Sequence, residues 1–517
     1  MNHSRRKNKT CFVTTPIYYP SGNLHIGHLY STTIAWAIKN YKLKRGYEVK
    51  FLTGSDEHGQ KIAQSALKEK MDCQRYVDYQ SQKFIDLWKV FGIEYDYFSR
   101  TTNEHHKKMV ESIFNIMVKR GFIYKGVYRG LYSVSDEEFV TESQAIKEDK
   151  FYYHPVSKHR LEIIEEESYF FKMNEFSHWL INYIESNPDW IWPQKIVNEL
   201  KANFLDQNLE DLSVTRISFE WGIQISKDPR HVIYVWLDAL FNYISALGFD
   251  LQQPSLDFIK FWEQGDEIIH VVGKEITRFH CIYWPIFLKA LNLKMPTKIL
   301  AHGWIITPEG KMSKSKNNVI NPLDLIEEFD PEVIKYYLLA KISIHNDGIF
   351  SKELLKNTYN SELANTIGNL ISRTIAMIKK NFEQPVKFAQ TDDQNDQTIL
   401  KNIVEKTKAF QALFDQFQID QAFEQMILLA KDLNKYIDLT TPWLLVNNPE
   451  RLAIILNLLL NGIYAVATML EIIMPNKVAI IKSILNIDSL DFDQIFNWNK
   501  FDQIIVNEAS PLFNRIS

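Results

Sequence analysis

The feature that most constrains this chain is a hand-over from strand to helix. The apolar run Thr10-Cys11-Phe12-Val13-Thr14 predicts a strand, and a helical pattern follows from about Leu24 to Lys42. The turn between them carries His25-Ile26-Gly27-His28. A strand that feeds a helix through a glycine-containing turn gathers backbone N–H groups and the positive helix end at one spot, which suits an anion. His25 and His28 stand one helical turn apart and face the same phosphate-sized volume. Alone, the tetrapeptide reads equally well as a helix start whose histidines cap or pack. A second string, Lys311-Met312-Ser313-Lys314-Ser315, follows Gly310 far downstream. It offers two ammonium groups on a small-residue loop, a cationic flap suited to a phosphoryl centre and a departing pyrophosphate.

Strand and helix patterns alternate around these strings. Glu48 to Thr53 reads as a strand closed by Gly54; Lys61 to Lys70 and Tyr76 to Phe91 read as helices. The rhythm breaks from about Ile116 to Glu220, where short aromatic segments and a Glu165–Glu167 triplet suggest a small mixed insertion. It resumes at Val232–Trp236, Glu267–Gly273 and Thr297–His302. The fold class expected is α/β: a Rossmann-like doubly wound parallel sheet split by a small connective insertion. Such sheets bind ligands at the carboxyl ends of their strands, where the His25 turn, Gly54–His58, Gly273-Lys274-Glu275 and His302 are expected to converge. From about Ser351 the apolar spacing is helical to the end, punctuated by Pro442, Pro449 and Pro475, and predicts an all-α bundle. Residues 344–353 read as the linker, and Thr391 to Thr398 as an inter-helix loop. The divisions drawn are 10–115, 116–220, 221–350 and 351–517.

Composition excludes more than it selects. With 59 Lys+Arg against 63 Asp+Glu, bulk charge gives no argument for nucleic acid, so any RNA contact must rest on local sites. The three cysteines, Cys11, Cys73 and Cys281, form no CxxC pair, which disfavours a disulfide framework or a thiolate zinc site and suits a reducing compartment. The basic N-terminus lacks an apolar segment and reads as a ragged end. Leu452 to Met474 is the longest apolar stretch. Asn457, Asn461 and Glu471 interrupt it, which favours the centre of a bundle over a membrane span.

Three aromatic groups follow predicted strands: Ile17-Tyr18-Tyr19, the run Val235 to Tyr243, and Phe279 to Trp284. Aromatic core is the plain reading. A pocket is the other, because an aromatic wall suits a polarizable thioether.

The two charged strings together resemble class I aminoacyl-tRNA synthetases. The wider set TTPIYYPSGNLHIGH, TGSDEHG, WGI, YVWLDAL, GKEITRFH, HGWI and GKMSKS resembles, along essentially the whole chain, the bacterial-type methionyl-tRNA synthetases. The resemblance implies ATP-dependent activation of L-methionine and transfer to the terminal adenosine of tRNA(Met). It assigns catalysis to His25, His28, Lys311, Lys314 and Arg216, and ATP contacts to the same histidines and lysines with Gly273, Glu275 and His302. Ile17, Tyr19, Asp56, Val235, Trp236, Ala239, Tyr243, Phe279, His280 and Trp284 would hold methionine, with Asp56 on the α-amino group. A surface ion pair is the other reading of Arg216. Asn369, Arg373 and Trp443 would read the anticodon; a helix interior with Trp443 as core is the alternative.

Ser133 stands where zinc-containing relatives carry thiolates, and His154 and His159 have no thiol partners, so a zinc-free insertion is expected. The cofactor expected is ATP with Mg²⁺. No C-terminal tRNA-binding barrel is recognisable, so a monomer is expected; a cytoplasmic location without membrane association is expected separately. Isoleucyl, valyl and leucyl enzymes need a larger editing insertion, and a cysteinyl enzyme needs zinc ligands. A small-molecule nucleotidylyltransferase would need no KMSKS string. A catalytically silent tRNA-binding paralogue is disfavoured by intact His25, His28, Lys311, Lys314 and Asp56.

Overall fold

The computed structural model describes residues 8–20, 24–134, 138–140, 142, 145–155, 157–206, 209–312 and 318–516. In chain order, β1 (Thr10–Tyr18) precedes α1 (Ile26–Lys44), β2 (Glu48–Ser55), β3 (Tyr97–Arg100) and α2 (Glu104–Lys119). Next come β4 (Ile123–Ser133), β5 (Arg160–Phe171), β6 (Ile191–Trp192), β7 (Asp228–Ile233) and α3 (Val235–Leu240). Then follow β8 (Glu267–Gly273), α4 (Trp284–Leu291), β9 (Lys298–His302), β10 (Ile305–Thr307), β11 (Gly310–Lys311), α5 (Pro331–Ala340) and β12 (Gly348–Ile349). The helices α6 (Asn369–Asn381), α7 (Gln394–Asp415), α8 (Ile419–Thr440), α9 (Pro449–Leu470) and α10 (Pro475–Leu485) follow. The chain divides into two compact units. One holds residues up to Leu24 with Tyr47–His302; the other holds His25–Gly46 with Gly303 onward.

The first unit is built on a parallel sheet of order β3-β2-β1-β8-β9-β6. The chain steps outward from β1 to β3 and then returns to β8, so the switch point falls between β1 and β8. Both faces are covered, which is why Cys11, Phe12 and Val13 are all fully buried instead of alternating. A single apolar core runs from Phe12, Leu52, Ile268 and Ile299 of this sheet into Phe171, Leu180 and Trp190 of the insertion. The insertion's own sheet centres on the long antiparallel pair β4–β5. It also contributes β6 to the parallel sheet, which periodicity could not show in a two-residue strand.

One expected strand is displaced. Val232 to Trp236 does not enter the parallel sheet: β7 pairs antiparallel with two short strands, and Val235 already opens α3. Of the three aromatic groups, therefore, only two follow strands of the parallel sheet. The buried part of β7 is short, His231 to Ile233, because Pro229 and Arg230 within the strand are exposed.

In the second unit, α1 packs against the C-terminal helices. Its Tyr41 hydroxyl donates to Gln411 O (3.1 Å) and Asp415 Oδ1 (3.0 Å), and the ring stacks on Phe414 at 4.2 Å. Asn40 donates to Ile472 O (2.9 Å), and Lys335 of α5 lies 3.8 Å over the Trp36 ring. The helix α9 is apolar enough to cross a membrane, yet 89% of that window is buried in the protein. Its Asn457 donates to Val386 O at 2.7 Å, so the polar interruptions are satisfied by protein groups. Pro442, Pro449 and Pro475 each open a helix, where a missing N–H costs nothing. The expected loop at Thr391 is shorter than read, because Asp393 caps α7 and the helix starts at Gln394. Within the expected linker, β12 pairs in parallel with β10.

Candidate functional site

In the first unit, Tyr19 and Asp56 follow the carboxyl ends of β1 and β2. Ile17 pairs with Gly54 across these strands. A side chain at Gly54 would strike the Ser99 carbonyl, so glycine is required for this close approach. Asp56 is 6% exposed, and its N–H donates to Tyr18 O at 2.9 Å.

The loop that follows is fastened at several points. The buried Glu57 carboxylate accepts from Ser55, Ser81 and Arg100, each at 2.6 Å. Tyr19 donates to His58 O at 3.1 Å, and the Trp221 indole donates to Glu57 O at 2.6 Å. The His58 ring meets Asp238 of α3 at 2.6 Å, and the other Asp238 oxygen meets His106 of α2 at 2.7 Å. Burial pushes the Asp238 carboxyl up, but the two histidines outweigh it and hold the group below its ordinary range. Sequence reasoning missed Asp238 and His106. A carboxylate inside the apolar run VWLDAL was the available signal.

The aromatic residues gather beside this loop. Trp236 of α3 stacks on Phe279 at 3.5 Å and 10°. Ala239 lies on the same helix and is buried. Phe279 and His280 occupy a π-helical turn, Phe279–Tyr283, that runs into Trp284 at the start of α4. The Tyr243 hydroxyl donates to His280 Nε2 at 2.6 Å, because His280 Nδ1 gives its hydrogen to Ile276 O at 2.9 Å. Burial lowers His280 to about 4, so the ring is neutral near pH 7. Trp284 is fully buried and donates to His270 Nε2 at 3.2 Å. His270, on β8, was also missed. Its signal was a lone histidine in the apolar strand EIIHVVG.

Gly273 ends β8 opposite His302, the last residue of β9. A side chain at Gly273 would collide with the Glu275 carboxylate, which stands directly over it. Arg216 is 2% exposed, pairs with Glu166 and lies 4.0 Å over the Tyr132 ring, so it is no surface ion pair. Ser133 is buried at the end of β4, and His154 Nδ1 accepts from Ser157 N–H at 3.1 Å within its own turn. Among the described residues one cluster has metal-ligand chemistry: Glu167, Asp228 and His231. Lys125 already sits there, 2.9 Å from Glu167 and 2.7 Å from Asp228.

In the second unit, His25 is the N-cap of α1, its Nδ1 accepting from Gly27 N–H at 3.1 Å. His28 Nδ1 accepts from His25 N–H at 3.1 Å, and the rings stack at 3.8 Å. With each Nδ1 accepting, both rings carry a hydrogen on Nε2. Burial, with His25 beside it, holds His28 well below its ordinary value. Lys311 lies on β11, its ammonium 3.7 Å over the Trp304 ring. Lys314 lies outside the described residues. Asn369 begins α6, Arg373 one turn on pairs with Asp438 at 2.8 Å, and Trp443 is 49% exposed. The indole is not core, and the Arg373 guanidinium stands 5.9 Å from its ring centre.

Known proteins match along the whole chain. The model of the family described as tRNA synthetases class I (M) matches residues 11–149 and 153–375. The methionine--tRNA ligase of Mycoplasmopsis pulmonis is 54% identical over 98% of this chain and 99% of its own length. That of Bacillus subtilis is 39% identical over 99% of this chain and 78% of its own. The solved Mycobacterium tuberculosis methionyl-tRNA synthetase in complex with methionyl-adenylate is 31% identical, with a TM-score of 0.93 over 98% of this chain and 100% of its own. The chain belongs to the class I tRNA synthetases of the M group.

Proposed function

We infer that this enzyme activates L-methionine with ATP and transfers it to tRNA(Met), serving initiation and elongation. The observation that carries the reading is the aromatic cluster of Trp236, Tyr243, Phe279, His280 and Trp284, together with the fastened Asp56 loop. Asp56 is assigned to the ammonium of methionine and the rings to its thioether side chain. The methionine carboxylate attacks the α-phosphorus of ATP, and the bond to pyrophosphate breaks, giving methionyl-adenylate. A ribose hydroxyl of the terminal adenosine then attacks the acyl carbon, and AMP departs. His25 and His28 present Nε2 hydrogens to phosphate oxygens, while Lys311, Lys314 and Arg216 offset charge that develops during transfer. Gly273, Glu275 and His302 are assigned to the nucleoside. Mg²⁺ enters with ATP as part of the substrate.

The tRNA side is assigned to Asn369, Arg373 and Trp443, an amide, a guanidinium and a half-exposed indole. Residues 351–517 form the anticodon-binding domain, 116–220 the connective insertion, and 10–115 with 221–350 the catalytic domain. The insertion works without zinc, since the three thiols lie at positions 11, 73 and 281; stoichiometric zinc in purified protein would overturn this. The enzyme acts as a cytoplasmic monomer, which sedimentation checks. The deciding experiment is ATP–pyrophosphate exchange with each amino acid singly. Methionine alone supports exchange, and Lys314→Ala abolishes it; exchange with a different amino acid would discard the pocket assignment.

A further inference from the structure

The polar hydrogens of Trp284, His270, Tyr243 and His280 all go to protein acceptors. The Trp284 N–H goes to His270 Nε2 at 3.2 Å. An indole only donates, so His270 accepts there, and its remaining hydrogen on Nδ1 points at Thr14 Oγ1, 2.8 Å away. Both His270 and Thr14 are fully buried. Protonating His270 would set a second hydrogen against the indole N–H, and burial already holds the ring well below its ordinary value. Tyr243 stacks on the same imidazole at 4.1 Å and spends its own hydrogen on His280. His280 spends its hydrogen on Ile276 O. Among these side chains only the Trp236 N–H is buried without an acceptor in the described residues.

We propose that His270 is a specificity-determining residue that withdraws the Trp284 donor, so that side chains bearing a strong hydrogen-bond acceptor, methionine sulfoxide foremost, are rejected. The proposal rests on the methionine-activating reading above. A thioether is a weak acceptor and loses little on leaving water. A sulfoxide oxygen loses its hydration and, with the Trp284 donor already engaged, gains no partner from it. A site of this kind discriminates by about ten- to hundredfold.

The test is ATP–pyrophosphate exchange by the full chain, comparing kcat/KM for L-methionine and L-methionine sulfoxide. His270→Leu removes the acceptor at similar volume, and His270→Gln retains one. The methionine-to-sulfoxide ratio is expected to fall about tenfold in His270→Leu, to stay near wild type in His270→Gln, and to recover in His270→Leu/Trp284→Phe. A common fall for both substrates, with the ratio unchanged, would make His270 merely structural and overturn the proposal. A lowered ratio that persists in the double variant would also overturn it, because the donor would not be Trp284. Absence of methionine-dependent exchange in the wild type would reject the underlying reading itself. Should His270→Leu fail to fold, wild-type chain labelled with ¹⁵N-tryptophan decides. The Trp284 indole proton, assigned by its loss in Trp284→Phe, stays slow to exchange with methionine bound; rapid exchange overturns the proposal.

Discussion

The aromatic cluster of the first unit and the proposed anticodon face of the second hold the same residue types in opposite surroundings. Trp284 is fully buried with its N–H engaged, whereas Trp443 stands 49% exposed. Arg216 is enclosed with Glu166 and Tyr132, whereas Arg373 holds a half-exposed pair with Asp438. A small apolar ligand would be selected by what a pocket withholds, and here the Tyr243, His280 and Trp284 hydrogens go to protein acceptors while the Trp236 N–H does not. An unpaired base would be selected by groups offered to solvent, such as the exposed Trp443 indole and the Arg373 guanidinium, which would have to exchange its Asp438 partner for RNA.

The largest effect expected from this contrast is Asp238→Ala. It strips the shared acceptor from His58 and His106 and costs about 3–5 kcal/mol of stability by urea unfolding. A cost below about 1 kcal/mol would mean the pocket is not rigidified this way. Acid comes next. His280 titrates at about 4 in the fold against 6.5 unfolded, lowered by burial. Its contribution is fully present above 6.5 and is lost as pH falls toward 4. That is about 3 kcal/mol, and His28 and His270 shift in the same direction. Urea midpoints should therefore drop between neutral pH and about pH 5, with a shallower slope in His280→Gln; equal slopes would break the assignment.

On the proposed anticodon face, Trp443→Ala should lower tRNA charging about ten- to hundredfold while methionine-dependent exchange changes less than about twofold. Equal losses would return Trp443 to a structural role. Smallest of all, Asp438→Asn removes an exposed pair worth under about 1 kcal/mol. Stability should hold, and charging should rise slightly as the Arg373 guanidinium is released. A tenfold fall in charging would show that Asp438 positions it.

Particular residues show how far the sequence reads. Four strands of the parallel sheet, β1, β2, β8 and β9, were legible because they are apolar runs of five to nine residues, while four-residue β3 was not read. Two-residue β6 carries too little pattern to be read, and β7 looked like a sheet strand because periodicity does not name a strand's partner. His25 and His28 were legible as a pair because they are three residues apart at a helix start, where the extended N-cap His25 and the first-turn His28 bring their rings together. His270 was not, since its role arises from Trp284, fourteen residues on, and Thr14, 256 residues away.

By itself, then, the sequence determined which chemistry is present: the histidine pair, the lysine string, the aromatic runs and the strand-then-helix order. Those are local properties, set by spacing along the chain. Only the tertiary structure decided that α1 packs with the C-terminal helices, that Asp238 joins His58 to His106, and that the Trp284, Tyr243 and His280 hydrogens go to protein acceptors. Burial and hydrogen-bond direction depend on neighbours distant in sequence, and no pattern within one segment encodes them.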